Sequence, residues 1–377
     1  MKTFSKVFIG LLLTILIAFL LAPSYLRKAL IYTTADIDDY TIFANRKIKT
    51  GTYQPWQVKK AAVEKQISQN YIFRMEELET VAFLVVQDTA ILYERYWDGY
   101  NENSLSNSFS VAKSIVSLLV GIAIDEGKIK SVVQKVSDFF PEFSKGDNAQ
   151  LTIKDLLTMS SGLNWDESYA SPFSVTTQAY YGDDLRPLIL NLQVTEKPGE
   201  YFEYLSGNTQ LLAFILEKAT GMKVSDYATQ KLWRPLGAKN EALWSLDAIN
   251  GEEKAYCCFN SNARDFARIG QLILNKGNWQ EQQLISQTYI EAATTPASYL
   301  KSRNGDAVDF YGYQWWILQY KGMQIPYARG IRGQYIFVIP QKNAVVVRLG
   351  HQRSHERIGS HTADVFLYID AALEILK

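Results

Sequence analysis

Short β-forming runs lie towards both ends of this chain with a long helical stretch between them, and that arrangement limits the folds open to it. Residues 81–86 and 90–96 are rich in β-branched and aromatic side chains, and Gln87-Asp88-Thr89 between them marks a hairpin. Residues 313–318, 325–328, 334–339 and 344–349 read as further strands, punctuated by Gly330, Gly333, Pro340 and the turn Gln341-Lys342-Asn343. The intervening residues 130–300 read as mainly helical, broken by Pro141, Pro172, Pro198, Pro235 and Pro296, and a final helix is expected over about 362–376. Strands from opposite ends bury their apolar faces best by meeting in one sheet. The expectation is therefore an α+β fold over 79–377: an antiparallel sheet of N- and C-terminal strands flanked by helices, a large helical insertion at about 130–300, and a cleft between the two parts.

The start of the chain is different in kind. Lys2 and Lys6 precede an uncharged apolar run over residues 7–22, and Leu20-Leu21-Ala22-Pro23 makes a poor cleavage site. Residues 1–28 are read as an export signal retained as a membrane anchor, which places the rest of the chain outside the cytoplasm. Residues 29–78 are polar and mixed and are read as a linker and lead-in. The 39 basic and 39 acidic side chains cancel, so the charge signature of a nucleic-acid binder is missing. Cys257 and Cys258 are adjacent, a spacing that strains a bridge, and no structural disulfide is expected.

One helix carries polar residues that its surroundings do not explain. From about 110 to 126, closed by Gly127, nearly every side chain is apolar, which marks a buried helix. Before its acidic end at Asp125-Glu126, its exceptions are Ser110, Lys113, Ser114, Ser117 and Gly121, which fall in one narrow stripe. Ser110 and Lys113 are thus one turn apart on a face where a charge is costly. A serine hydroxyl is a weak nucleophile until a base takes its proton, and burial lowers a lysine's pKa towards a usable neutral amine. Ser110 also stands at the helix start, where backbone N–H groups favour a developing oxyanion. The plain alternative is that Ser110 is an ordinary N-cap, which leaves Lys113 without a reason. A second S-x-x-K, Ser298 to Lys301, follows Thr294-Thr295-Pro296 in a polar stretch and reads as a surface loop.

Four stretches, in order, resemble the serine β-lactamase-like, penicillin-recognising hydrolases, and within them the class C-like branch of esterases and 6-aminohexanoate-dimer hydrolases. Phe109-Ser110-Val111-Ala112-Lys113-Ser114 resembles the nucleophile motif, and Leu156-Leu157-Thr158-Met159-Ser160-Ser161-Gly162-Leu163 the "LLTxxSGL" segment. Pro198-Gly199-Glu200-Tyr201-Phe202-Glu203-Tyr204-Leu205-Ser206 resembles the tyrosine motif, and Gly330-Ile331-Arg332-Gly333-Gln334 the strand edge beside the active site. The resemblance implies a serine hydrolase acting through an acyl-enzyme without a cofactor. Ser110 would be its nucleophile, Lys113 and Tyr204 its base pair, and the backbone amides of Ser110 and Ile331 its oxyanion hole. A cationic Lys113 beside Tyr204 is expected to lower the phenol's pKa towards a phenolate, and which of the two takes the serine proton stays open.

Departures from the pattern narrow the substrate. The family's Tyr-x-Asn is here Tyr204-Leu205-Ser206, and its Lys-Thr-Gly or His-Thr-Gly is replaced by Ala328-Arg329-Gly330. The element that holds a substrate carboxylate is therefore altered, although Arg329 or Arg332 could supply positive charge. An ester or small amide is favoured over a β-lactam or a D-alanyl-D-alanine peptide. Ser206, Arg329, Arg332 and Trp165 are candidate substrate-binding residues, and Tyr180, Tyr181, Trp315 and Trp316 are aromatic candidates for shaping the cleft. The alternative from another class is a non-catalytic envelope binding protein of the same fold. No metal site is expected: His351, His355 and His361 lack a metal-ligand pattern and read as solvated or hydrogen-bonded histidines. Asp265 with Arg264 and Arg268 reads as a structural ion-pair face.

Overall fold

The structure is a computed structural model that describes residues 2–58 and 66–376. It opens with two helices, α1 (Lys2–Leu21) and α2 (Ser24–Tyr32). β1 (Asn45–Ile48), β2 (Gln57–Val58) and α3 (Gln69–Glu77) lead into the hairpin β3 (Thr80–Gln87) and β4 (Ala90–Tyr96). The short β5 (Ser106–Asn107) feeds α4 (Val111–Asp125). The middle holds α5 (Ile153–Leu157), α6 (Val175–Tyr181), α7 (Leu185–Leu190), α8 (Ser206–Thr220) and α9 (Val224–Ala228). After these come β6 (Ala242–Ser245), β7 (Phe259–Ser261), α10 (Ala263–Leu274), the hairpin β8 (Asn278–Trp279) and β9 (Gln282–Gln283), and α11 (Gln287–Ala293). β10 (Trp316–Tyr320), β11 (Met323–Gly330), β12 (Gln334–Ile339) and β13 (Ala344–Gly350) complete the strands used below. The helix at the C-terminal end spans Ala363–Leu373.

The strands from the two ends meet as the sequence implies. A seven-stranded sheet runs β10-β11-β12-β13-β3-β4-β2, and β13 pairs antiparallel with β3 through Val346↔Val85 and Val347↔Leu84. Every residue of β3 is buried, because the sheet is covered on both faces. Leu84, Val86, Val345 and Val347 pack with α4 and α10, whereas Phe83, Val85, Val346 and Phe337 pack with the C-terminal helix. Two covered faces need apolar side chains at every position, and that is why residues 81–86 are an unbroken apolar run. Gly270 lets α10 approach closely: a Cβ there would lie 2.5 Å from Val345 Cγ1.

Within the stretch read as linker and lead-in, β1 joins a second, four-stranded sheet ordered β1-β6-β7-β5, and β2 runs parallel to β4. Residues 59–65 of that stretch lie outside the described residues. The expected strand over 313–318 begins later, at Trp316, because Tyr313 and Gln314 are used elsewhere: their carbonyls accept hydrogen bonds from Ser117 and Ser114 of α4.

The expectation of no disulfide is corrected, since Cys257 and Cys258 are bridged to each other. Cys258 adopts a φ of 66°, and that left-handed turn brings neighbouring sulfurs together. At the other end of the chain, α1 contains an 18-residue window, Phe4–Leu21, of mean hydropathy 2.5 that is nowhere buried. It is long and apolar enough to cross a membrane, and a signal sequence would pass the same test.

Candidate active site

The centre of the site is the first turn of α4. Phe109 holds a φ of 45°, a conformation costly for a side chain with a Cβ, and it turns the chain sharply into the helix. Ser110 follows as the N-cap residue, yet its side chain makes no capping hydrogen bond. Its Oγ lies instead 3.0 Å from Lys113 Nζ. The ordinary-cap explanation of Ser110 therefore does not describe this hydroxyl.

Lys113 is 1% exposed and its Nζ also donates to the Tyr256 carbonyl at 2.7 Å. Burial holds its pKa down at about 8, opposed by the negative charge of Glu167. Nζ donates to both oxygens, and on losing a proton the amine keeps an N–H for the carbonyl and gains a lone pair for the serine O–H. The remaining polar stripe of α4 serves packing. Ser114 and Ser117 bond to loop carbonyls, and Gly121 leaves room for the Tyr289 ring, which a Cβ would meet at 2.5 Å.

Tyr204 is brought in by the Leu156–Leu163 segment. Glu203 N–H donates to the Met159 carbonyl at 2.7 Å and Leu205 N–H to Met159 Sδ at 3.4 Å, so the residues on both sides of Tyr204 are fixed. Its phenol is close enough to the Ser110 hydroxyl to feel it electrostatically, and its ring centroid lies 5.2 Å from Lys113 Nζ. The expected lowering of its pKa is corrected. Burial raises it, the nearby Glu167 charge adds to the rise, and the Ser110 contact offsets only part. Tyr204 is a neutral O–H group at ordinary pH, which leaves the lysine as the better proton acceptor of the two.

The end of β11 abuts this turn. A Cβ on Gly330 would lie 2.3 Å from the Ser108 carbonyl oxygen and 3.2 Å from Phe109 Cβ, so the glycine allows strand and helix start to touch. Ser110 and Ile331 both line one cavity of about 570 Å³. Among the described residues, neither backbone amide donates a hydrogen bond within the protein. Both are available to a ligand oxygen.

The other candidate residues divide. Ser206 and Arg332 line the cavity, as do Tyr180 and Tyr181. Arg332 is engaged by protein carbonyls, those of Ala35 and His351. Arg329 stacks on Trp316, with its guanidinium carbon 3.3 Å from the ring centroid, and does not line the cavity. Trp165 is a buried packing residue whose indole N–H bonds to Thr176 and whose ring presses on Gly207. Trp315 is wholly buried.

Sequence reasoning missed Glu167. Its carboxylate accepts from Ser206 N–H at 2.6 Å, from Ser206 Oγ at 2.7 Å and from the Tyr169 hydroxyl. A lone glutamate in a polar stretch gives no local signal, and its partner lies 39 residues away. Two of the three histidines are held by protein groups, His351 Nδ1 being 2.8 Å from Asp36 and His361 Nδ1 2.7 Å from the Tyr327 hydroxyl, and His355 lines the cavity. Burial, with Arg329 and Arg357 nearby, lowers His361 to about 4, so it is neutral. Among the described residues, the one acidic cluster with metal-ligand spacing is Glu217, Glu252 and Glu253, and it is bound by Arg186, Lys223 and Arg46.

Comparison with known proteins identifies the family. The chain is 30% identical to a 6-aminohexanoate-dimer hydrolase of Paenarthrobacter ureafaciens over 73% of its own length and 74% of that protein. A Bacillus anthracis structure provisionally named as a 6-aminohexanoate-dimer hydrolase shares the fold, with TM-score 0.72, 19% identity and coverage of 89% of this chain and 92% of that one. A family VIII carboxylesterase shares it at TM-score 0.62, 17% identity and coverage of 83% and 99%. The Beta-lactamase family model matches residues 67–365, and the chain belongs to that family of serine β-lactamase-fold hydrolases.

Proposed function

We propose that this protein is a serine hydrolase that opens an ester or small amide through an acyl-enzyme on Ser110. The observation that carries the reading is the contact between Ser110 Oγ and a buried Lys113 amine held at the same time by the Tyr256 carbonyl. Lys113 in its neutral form takes the hydroxyl proton as Ser110 Oγ attacks the substrate carbonyl. The oxyanion forms against the free amides of Ser110 and Ile331. Tyr204, kept neutral by burial, passes its proton to the departing alcohol or amine and regains one from the Lys113 ammonium. Water then attacks the acyl-serine by the reverse route, releasing the acid. The relative's name supports the ester or amide class, and α1 supports a membrane-anchored protein with its catalytic part outside the cytoplasm.

Neither arginine expected to hold a substrate carboxylate is free to do so, since Arg329 is committed to Trp316 and Arg332 to two carbonyls. This favours an ester over a carboxylate-bearing β-lactam or peptide, although Arg353 also lines the cavity. Fluorophosphonate labelling tests the assignment. The wild type is expected to acquire one adduct by intact mass and to hydrolyse p-nitrophenyl butyrate, with both lost in Ser110→Ala. A folded protein that no fluorophosphonate or β-lactam probe acylates would instead be a binding protein of the same fold.

A further inference from the structure

The wall of the cavity is built in part by the helix into which the apolar N-terminal helix runs. Only Ala22 and Pro23 separate α1 from α2. α2 is fixed to the body of the protein: Ser24 and Lys28 both bond to Asp183, and the Tyr32 ring stacks on Tyr181 with centroids 6.2 Å apart. α2 supplies Ala29, and Thr33 just after it, to the cavity lining that also contains Ser110. At helical rise, Ala29 lies about 12 Å along the chain from the end of α1. A bilayer that held α1 would therefore lie close to the part of the lining that α2 supplies.

Exposed apolar side chains adjoin part of this lining. Leu30 and Ile31, on the outer side of α2, are 60% and 61% exposed. Residues 169–172 also line the cavity; Tyr169 is 54% exposed and Phe173, the next residue after this segment, 75%. Large exposed apolar side chains grouped beside a cavity mark a surface that something covers. Here the helix that carries two of them is continuous with a segment fit to span a membrane, and Arg27 and Lys28 lie between, as is common at a membrane boundary.

Building on the serine-hydrolase reading, we propose that the cavity opens onto the bilayer surface and that its substrate is an amphiphile resident in the membrane, an ester-linked acyl chain that slides in past α2 and the 169–173 loop. Ser110 Oγ forms a bond to the acyl carbon, the acyl–oxygen bond breaks, and the alcohol leaves with a proton. Water then cleaves the acyl-serine and releases the acid. Ala29, Phe109, Ala170 and Pro172 give the acyl chain an apolar path towards Ser110.

The test uses the full chain in phosphatidylcholine vesicles that carry a fluorogenic long-chain acyl ester, with water-soluble p-nitrophenyl acetate in parallel. The variants are the double Leu30→Glu/Ile31→Glu and, on a separate loop, Phe173→Glu; none of these residues lines the cavity, and melting curves report folding. Each variant is expected to slow hydrolysis of the vesicle ester about tenfold or more, because the charge removes apolar contact with the bilayer, and to leave p-nitrophenyl acetate within about twofold. A wild type that hydrolyses the acetate but leaves the vesicle ester intact overturns the proposal. So do variants in which both substrates slow together or neither slows. Absence of Ser110-dependent turnover of either substrate overturns the hydrolase reading itself, and this proposal with it.

Discussion

Two lysines are buried beside the cavity, and the contrast between them separates burial from chemistry. Lys113 and Lys254 are 1% and 0% exposed, and burial holds them at about 8 and about 7. Each donates to a backbone carbonyl, Tyr256 for Lys113 and Tyr180 for Lys254. Their remaining surroundings differ. Lys113 Nζ faces a serine hydroxyl at the start of a helix, beside a tyrosine O–H and two free amides. Lys254 Nζ lies 4.2 Å from the Phe43 ring centroid and faces no hydroxyl nucleophile among its hydrogen-bond partners. By pKa alone, Lys254 would be the better base at neutral pH. What assigns the chemistry to Lys113 is geometry, since a depressed pKa reports only that a charge has been taken out of water.

The sharpest way to break this contrast is to replace Lys113 with methionine. Turnover of p-nitrophenyl butyrate should fall about 10³-fold or more, as expected for loss of the group that activates a nucleophile. Stability should not fall with it, because methionine fills similar space without burying a charge. A folded Lys113→Met variant that keeps its turnover would make Lys113 a structural residue and remove the distinction from Lys254.

Much of this contrast is legible in the sequence, and the part that is not has a physical reason. Ser110 and Lys113 stand out because polar residues on an apolar helix form a stripe that local periodicity exposes. Lys254 sits in Glu252-Glu253-Lys254-Ala255, which reads as a charged surface segment. It is buried only because Phe43 and Tyr180, distant in sequence, close over it. The strands follow the same division. β12 matches the expected residues 334–339, since its apolar run is bounded by Gly333 and Pro340. β1 is Asn45-Arg46-Lys47-Ile48, with no β pattern of its own, and becomes a strand by pairing with β6 some 200 residues later. Glu167 and the bridged Cys257–Cys258 are of that second kind, set by a distant partner and by a backbone turn.

Replacing Lys254 with methionine sharpens the contrast from the other side. Activity should stay within about twofold, since the residue touches no reacting group. Stability should rise, and the rise should depend on pH. In the unfolded chain the lysine stays protonated to about 10.5, whereas in the folded protein it loses its proton near 7. The cost of burying the charge is therefore full below pH 7 and is relieved as pH climbs towards 10.5. The variant's gain in melting temperature, about 2 °C or more at pH 6, should shrink steadily towards pH 10. A gain independent of pH would mean that Lys254 keeps its ordinary pKa in the fold and stays charged there across the range tested. A loss of turnover would mean that burial, and not the neighbouring serine, is what the chemistry uses.

The smallest effect is the most specific. If neutral Lys113 is the base, kcat/KM should rise with pH through about 8 and then level, following the deprotonation of that amine. Glu167 opposes this deprotonation, because its negative charge favours the ammonium form. Glu167→Gln removes the charge while retaining an amide oxygen that can accept one of the Ser206 hydrogen bonds. The rising limb should then move to lower pH, and Lys254→Met should leave it where it is in the wild type. A limb that does not move with Glu167→Gln, or that moves with Lys254→Met, would assign the titrating group to something other than Lys113. A shift in the predicted direction is a signature that a merely structural Glu167 could not produce, because only its charge, not its packing, sets the sign.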